Sequence, residues 1–397
     1  MRRIDLKTAS VARSDTIRDI NRQIVLNYVR ERSPISRAEI SSETALQRST
    51  ISLIVDELKS QGLIDEIEGE STGGRPPMLL RLRAAGPIAV GVDLGTDRTI
   101  VATSDLAGRV LEREEFHTDP SWEKTTRQMI DCVKRFIQKQ KGIEGIGISL
   151  PGLVDQEAGD ALFIPHFKWR DWAVADLVSA ATGLPVKVDN DANAAALAEL
   201  WLGRPEIREV RDFIMVLVEQ GIGTGIVFDG QVYHGVAGAA GEFGHMTIGK
   251  GAPIACAAGS YECWEAFASE NAALARYAKE HQNPDGSSPT SFNQLVDRAL
   301  AGETNAQTAL IETAHYLGLG IANLLKGLSP EAVIVCGRIA RAWPLIADEI
   351  KSAVEKNSVC RGLPSARIIA STLGENPNLM GALSLILAGK FAARLPG

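Results

Sequence analysis

From Gly86 onward the chain alternates short apolar runs with amphipathic helical stretches, and it does so in two rounds. The first round is "PIAVGVDLG", "TIVATSDL", "IEGIGISL" and "LPVKVDND", separated by helical stretches. One of these carries Met129, Ile130, Val133 and Ile137 on a single face. The second round opens with "FIMVLVEQGIGTGIVFDGQVYHG", a hairpin-rich group with expected turns at "QGIGTG" and "DG". It closes with the buried strand "EAVIVCG" and further helices. Short apolar runs alternating with helices build a sheet covered on both faces. Two such rounds predict two α/β lobes with a cleft between them.

Residues 1–85 follow different rules. "NRQIVLNYVRERS" places Ile24, Val25, Tyr28 and Val29 on one helical stripe. Ser36 and Glu39 have the S-x-x-E spacing of a capping box, which starts a helix ending near Thr44. A second helix carries Ile51, Ile54, Val55 and Leu58 at i, i+3, i+4 and i+7, and Gly62 stops it. Two helices joined by a short turn, the second opening on small polar residues, make a helix-turn-helix pattern. "IDEIEGESTGGRPPMLLRL" then reads as two strands, with "GGRPP" at the tip of the wing between them. Candidate DNA contacts are Arg48, Ser49, Thr50 and Ser52 on the second helix, with Leu53 beside them, and Arg75 in the wing.

Charge agrees with this division. Residues 1–85 hold 14 Lys/Arg against 12 Asp/Glu, a balance of +2, while the remaining 28 and 37 give −9. The mildly basic end is where a polyanion is expected. The N-terminus lacks the apolar core of a signal peptide, no run reaches a membrane span, and the odd count of five cysteines is not a disulfide framework. The expectation is a cytoplasmic protein.

Polar clusters interrupt the strands of the large region. "SLPGLVD" brings Gly152 and Asp155 to a strand end, and "VDNDAN" sets Asn190 and Asp191 between a strand and a helix. "GEFGH" holds Glu242 and His245, and "CWE" holds Glu265. Converging carboxylates and amides suit a polyhydroxylated ligand, although Asn190 and Asp191 would also serve simply to cap the following helix.

Taken together, "GGRPP", "LPGLVD", "DNDANAAALAE", "GEFGH" and the segment ending "CWE" resemble the ROK family of bacterial sugar kinases and sugar-responsive repressors. The resemblance covers nearly the whole chain. It implies the two-lobed, actin-like sugar kinase/heat-shock ATPase fold, an α/β architecture related to ribonuclease H, preceded by an α+β winged helix. The expected domains are 1–85 for DNA binding, 86–200 for the first lobe and 201–397 for the second, with the last helix returning to the first lobe. Carried over by motif, the sugar ligands are Gly152, Asn190, Asp191, Glu242, His245 and Glu265. His166 lies where relatives often have Asn.

Departures from the kinase pattern are equally specific. Family kinases resemble D-x-G-G-T at the first phosphate loop, whereas Asp93-Leu94-Gly95-Thr96-Asp97 has one glycine and an added acid. Cys336-Gly337-Arg338 stands where relatives have a glycine cluster near the adenosine. Asp191 is then a remnant base, since phosphoryl transfer rests on positioning and electrostatics at the phosphates. Relatives also bind structural zinc with the His of "GEFGH" and three cysteines. Here His245, Cys256 and Cys263 remain, but Ala258 replaces the middle cysteine. The expectation is a loop without metal; three ligands plus a water would be the alternative. The chain therefore reads as a sugar-responsive transcriptional regulator of repressor type. Its expected partners are palindromic operator DNA and a sugar, and its expected state is a homodimer or homotetramer. The rival readings are an active sugar kinase carrying a DNA-binding appendage and a protein-binding module.

Overall fold

The computed structural model describes residues 14–70, 76–83, 88–203, 205–207, 210–280, 291–358 and 366–392. The wing tip, with Arg75, and Cys360 lie outside the described residues.

Two five-stranded sheets organise the large region, and they share one plan. In the first, the spatial order is Val186–Asn190, Gly145–Leu150, Ala89–Leu94, Arg98–Ser104, Val110–His117. The first three strands are parallel and the last two continue as an antiparallel meander. In the second, Arg367–Ala370, Ala332–Cys336 and Phe213–Val218 are parallel, and Ile222–Phe228 and Gln231–Val232 form the meander. Gly145–Leu150 in the first sheet and Phe213–Val218 in the second are buried along their whole length, as sheets covered on both faces require.

Helix Trp122–Lys139 covers one face of the first sheet with Met129, Val133 and Phe136, all buried against Val90 and Val92. The other face receives the last described helix, Pro377–Phe391, although it comes from the far end of the chain. A Cβ on Gly91 would lie 2.7 Å from Leu383 Cγ, and one on Gly147 would lie 1.8 Å from the Ala382 carbonyl oxygen. Glycine is what lets this helix lie directly on the sheet.

The described N-terminal residues form three helices, Ser14–Arg32, Arg37–Thr44 and Arg48–Ser60, against a small three-stranded sheet. Ser36 caps Arg37–Thr44 through both arms of the box: its Oγ accepts from the Glu39 N–H, and the Glu39 carboxylate accepts from the Ser36 N–H at 2.7 Å. Arg48–Ser60 buries Ile51, Ile54, Val55 and Leu58, and Gly62 follows at φ +70°. Ile64–Glu68 and Met78–Leu82 pair antiparallel as the arms of the wing. The first helix, Ser14–Arg32, differs from the expected stripe. Val25, Leu26 and Val29 are buried, Tyr28 is half-buried, and Ile24 faces outward at 36% exposure. The apolar run "IVL" satisfied two adjacent helical faces, and packing against Arg48–Ser60 chose the one containing Leu26.

The turns also correct the sequence reading. The second-lobe hairpin turns at Glu219–Gly221, since Val218 already pairs with Ile222. Gly223 and Gly225 therefore lie in the strand. A Cβ on Gly225 would lie 2.4 Å from the Ala192 carbonyl oxygen, so these glycines serve close packing of the strand on helix Asp191–Leu202. Among the described residues, no helix is long and apolar enough to cross a membrane.

Candidate functional site

A cleft of about 530 Å³ opens at the carboxyl ends of the parallel strands of both sheets, the position where open α/β sheets collect ligands. The first lobe contributes Asp93, Gly95–Asp97, Gly152, Asn190 and Asp191; the second contributes Glu219–Thr224, Glu242, His245, Glu265 and Arg338. All six residues carried over as sugar ligands line it, and so does His166.

They do different work within it. Gly152 sits at φ +95°, where a Cβ would meet the Phe163 carbonyl oxygen at 2.3 Å, so only glycine fits. Asn190 caps helix Asp191–Leu202: its Oδ1 accepts from the Ala192 and Asn193 N–H groups, and its Nδ2 donates to the Gly152 carbonyl at 3.0 Å. Glu265, 8% exposed, accepts from the Ala257 N–H at 2.8 Å and the Ile222 N–H at 3.2 Å. Asn190 and Glu265 thus hold the walls of the cleft together. Glu242 and His245, on the short turn Glu242–His245, present exposed side chains to the cleft space.

Asp191 is the chemically distinctive group. One of its oxygens accepts from the Ala192 N–H at 2.7 Å. Burial, followed by the nearby Glu219 carboxylate, raises its pKa to about 7, against the opposing effect of that N–H. Burial and then Glu219 also push Asp93 well above the ordinary carboxylate range. Glu219 is itself raised by burial, opposed by Arg338 and by the Asn378 Nδ2, which donates to it at 3.1 Å. Three carboxylates therefore share one poorly hydrated space, where each disfavours ionisation of the others.

Several cleft-lining side chains bond to one another. Thr96 Oγ1 donates to Gln220 Oε1 at 2.8 Å, and Gln220 Nε2 donates to Asp97 at 2.9 Å, tying the first-lobe loop to the second lobe. The Arg338 guanidinium makes a two-point pair with the buried Glu270 carboxylate. Glu270 stands at about pKa 7, pushed up by burial against the effect of Arg338. Cys336 departs from expectation: its side chain is buried in the core behind the sheet, packed with Phe213 and Met215, so of that pair only Arg338 enters the cleft. Glu219, Gln220, Glu270 and Asn378 escaped the sequence reading. The available signal was a charged residue, Glu219, placed directly between an apolar strand and a glycine run.

The imidazole of His245 and the sulfurs of Cys256 and Cys263 bring ligand atoms within 4.8 Å of one another. A closed structural zinc site wants four protein ligands, and Ala258 offers only a methyl group. The donor set is one short. The loop has its own ties, including Cys256 N–H to the Ser260 carbonyl at 2.8 Å and the Ala257–Glu265 bond.

On helix Arg48–Ser60, Arg48, Ser49 and Leu53 are exposed, Leu53 at 73%, while Thr50 and Ser52 are half-buried. Among the described residues, nothing covers Leu53.

The model of the ROK family matches residues 89–388. The chain belongs to the ROK family. The unmatched N-terminal part contains the winged helix. Several relatives match nearly the whole chain. The xylose repressor of Bacillus spizizenii (strain ATCC 23059 / NRRL B-14472 / W23) is 30% identical over 383 residues, covering 95% of this chain and 97% of that protein. The xylose repressor of Caldicellulosiruptor bescii is 31% identical over 390 residues, covering 94% and 96%. Among solved structures, a ROK transcriptional regulator homologous to the E. coli MLC protein superposes with TM-score 0.76 at 28% identity, covering 95% of this chain and 97% of that one. A ROK glucokinase from Streptomyces griseus, solved with glucose and AMPPNP, superposes with TM-score 0.69 at 29% identity, but covers only 76% of this chain. This ROK protein is therefore built as a transcriptional regulator, on a scaffold shared with sugar kinases.

Proposed function

We propose that this protein is a repressor whose winged helix binds operator DNA and whose cleft takes a neutral monosaccharide. The observation that carries the ligand class is the charge of the cleft. Asp93, Asp97, Asp191, Glu219 and Glu242 line it, and its two guanidinium groups, Arg98 and Arg338, are paired with Glu115 and Glu270. Hydroxyls are good donors to carboxylates, whereas a phosphate ester would meet repulsion. Relatives that are named xylose repressors make D-xylose the first sugar to test, followed by D-glucose. Asp191, Glu242 and His245 take the sugar hydroxyls; Gly152, Asn190 and Glu265 shape the walls. Arg48, Ser49, Thr50, Ser52 and Arg75 contact DNA. A homodimer, or a homotetramer of two such pairs, presents matched recognition helices to a palindromic site.

The cleft does not transfer phosphate in this reading. Side chains that bond to one another, Thr96, Asp97 and Gln220, stand where nucleotide phosphates would need free dipoles. In a coupled assay with ATP, Mg²⁺ and saturating sugar, turnover should stay at background. Steady turnover with micromolar ATP affinity would make the protein a kinase. The His245–Cys256–Cys263 loop works without a structural metal, because Ala258 stands where a fourth ligand would be needed. Purified protein should carry much less than one equivalent of zinc by elemental analysis, and a chelator should leave its melting temperature unchanged. Stoichiometric zinc would overturn this.

A further inference from the structure

Two helices run from the cleft to the winged helix. Asp191–Leu202 begins at the cleft carboxylate and carries Trp201 next to its end, about 15 Å away at 1.5 Å per residue. Pro377–Phe391 begins beside Asn378, which holds Glu219 in the cleft, and ends on Phe391. The two cannot slide independently. A Cβ on Gly381 would lie 2.5 Å from the Ala194 carbonyl carbon, and the alanines facing it are fully buried. A shift of Asp191 is therefore carried along the pair as one body.

At the far end the Trp201 and Phe391 rings stack, with centroids 6.2 Å apart. The first helix of the winged domain rests on them. Arg30 places its guanidinium carbon 4.8 Å from both ring centroids, and Asn27 Nδ2 donates to the Phe391 carbonyl at 2.8 Å. The opposite part of the same helix grips the recognition helix through Arg18 and Glu57, 2.8 Å apart, and through the shared apolar core. A groove of about 370 Å³ runs beside the junction, lined by Ile24, Tyr28, Glu31, Trp201 and Phe391 among others. The first helix thus meets the ring pair through a stacked cation, a hydrogen bond and apolar packing, beside this groove.

We propose that Arg30, seated on Trp201 and Phe391, is the positioning residue that couples the cleft to the recognition helix. The inference rests on the reading that the cleft takes a sugar and the winged helix takes DNA. A sugar that draws in Asp191 moves the helix pair, the ring pair moves the guanidinium, and the first helix re-aims Arg48–Ser60. A coupling residue changes how unequally the sugar binds the two states, and it leaves each site itself intact. A planar guanidinium stacks on rings in a way an ammonium does not, so Arg30→Lys should behave as a partial loss.

The test uses the full chain and a duplex that the wild-type protein enriches from a random-sequence library. Operator affinity is measured with and without the aldose that gives binding heat with wild type, from a panel of D-xylose, D-glucose and N-acetylglucosamine. The wild-type pair of measurements tests the underlying reading by itself. Arg30→Ala should keep sugar affinity and sugar-free operator affinity within roughly threefold, while the sugar-induced change falls by roughly tenfold, within the usual range of such couplings. Arg30→Lys should fall between. Trp201→Leu removes the other partner without touching the DNA-binding part and should give the same loss of response. A full sugar response in Arg30→Ala and Trp201→Leu would overturn the proposal. So would loss of sugar-free DNA binding in both, which is the mark of a merely structural contact.

Discussion

Asp191→Ala abolishes sugar binding and leaves DNA binding intact; this is the largest single effect expected. The carboxylate is costly to charge where it sits, and a hydroxyl donating to it replaces lost water directly. A charged hydrogen bond contributes ~1.5–3 kcal/mol, so losing one or two of them should weaken sugar affinity by roughly 100-fold or more. Because its pKa stands at about 7, the effect carries a pH signature. Ionised Asp191 is the acceptor, so wild-type sugar affinity should rise between about pH 6 and pH 8. The sugar-free fold should respond in the opposite sense. The folded pKa lies above the ordinary value of 3.8. Protonation thus stabilises the fold fully below that value, and the contribution is lost as pH rises toward the folded pKa. Asp191→Asn should flatten both profiles. Calorimetry and melting curves across this range are the check; a sugar affinity that ignores both pH and the mutation would remove Asp191 from the site.

Arg48→Ala weakens operator binding by roughly 5–150-fold, the range given by a base-reading arginine at ~1–3 kcal/mol. Arg48 opens the recognition helix and is exposed, beside Ser49. Leu53, 73% exposed on the same helix, should act with it: Leu53→Ala should relax preference for thymine at one position more than it lowers affinity. Arg75→Ala in the wing should also weaken binding and reduce its salt dependence. Gel-shift affinities unchanged in both arginine variants would remove the winged helix from the DNA interface.

Short-range rules were legible in the sequence and long-range ones were not. The Ser36–Glu39 box sits on one turn of helix, and its residues name themselves. The recognition-helix stripe is equally local, and all four of its apolar residues are buried. The first helix was misread by one position because "IVL" offers two adjacent faces, and only the partner helix selects between them. Gly223 and Gly225 looked like turn residues, but their role is set by Ala192, a residue about thirty positions away. Six polar and glycine positions of the cleft, Gly152, Asn190, Asp191, Glu242, His245 and Glu265, were found from strand ends and motifs, whereas Glu219, Gln220 and Asn378 were not. The division of the six into walls and exposed side chains was not legible either, since the backbone partners of Glu265 lie at Ile222 and Ala257. The tie between Thr96, Gln220 and Asp97 spans more than 120 positions, and no spacing in the sequence announces it.

The most direct measurement is the affinity of the full chain for its selected duplex, titrated with D-xylose, D-glucose and their phosphate esters. The account predicts specific, salt-dependent binding that one neutral aldose weakens by roughly tenfold or more, with the phosphate esters inert. Tight DNA binding that no sugar alters, or release by a phosphate ester alone, would contradict it.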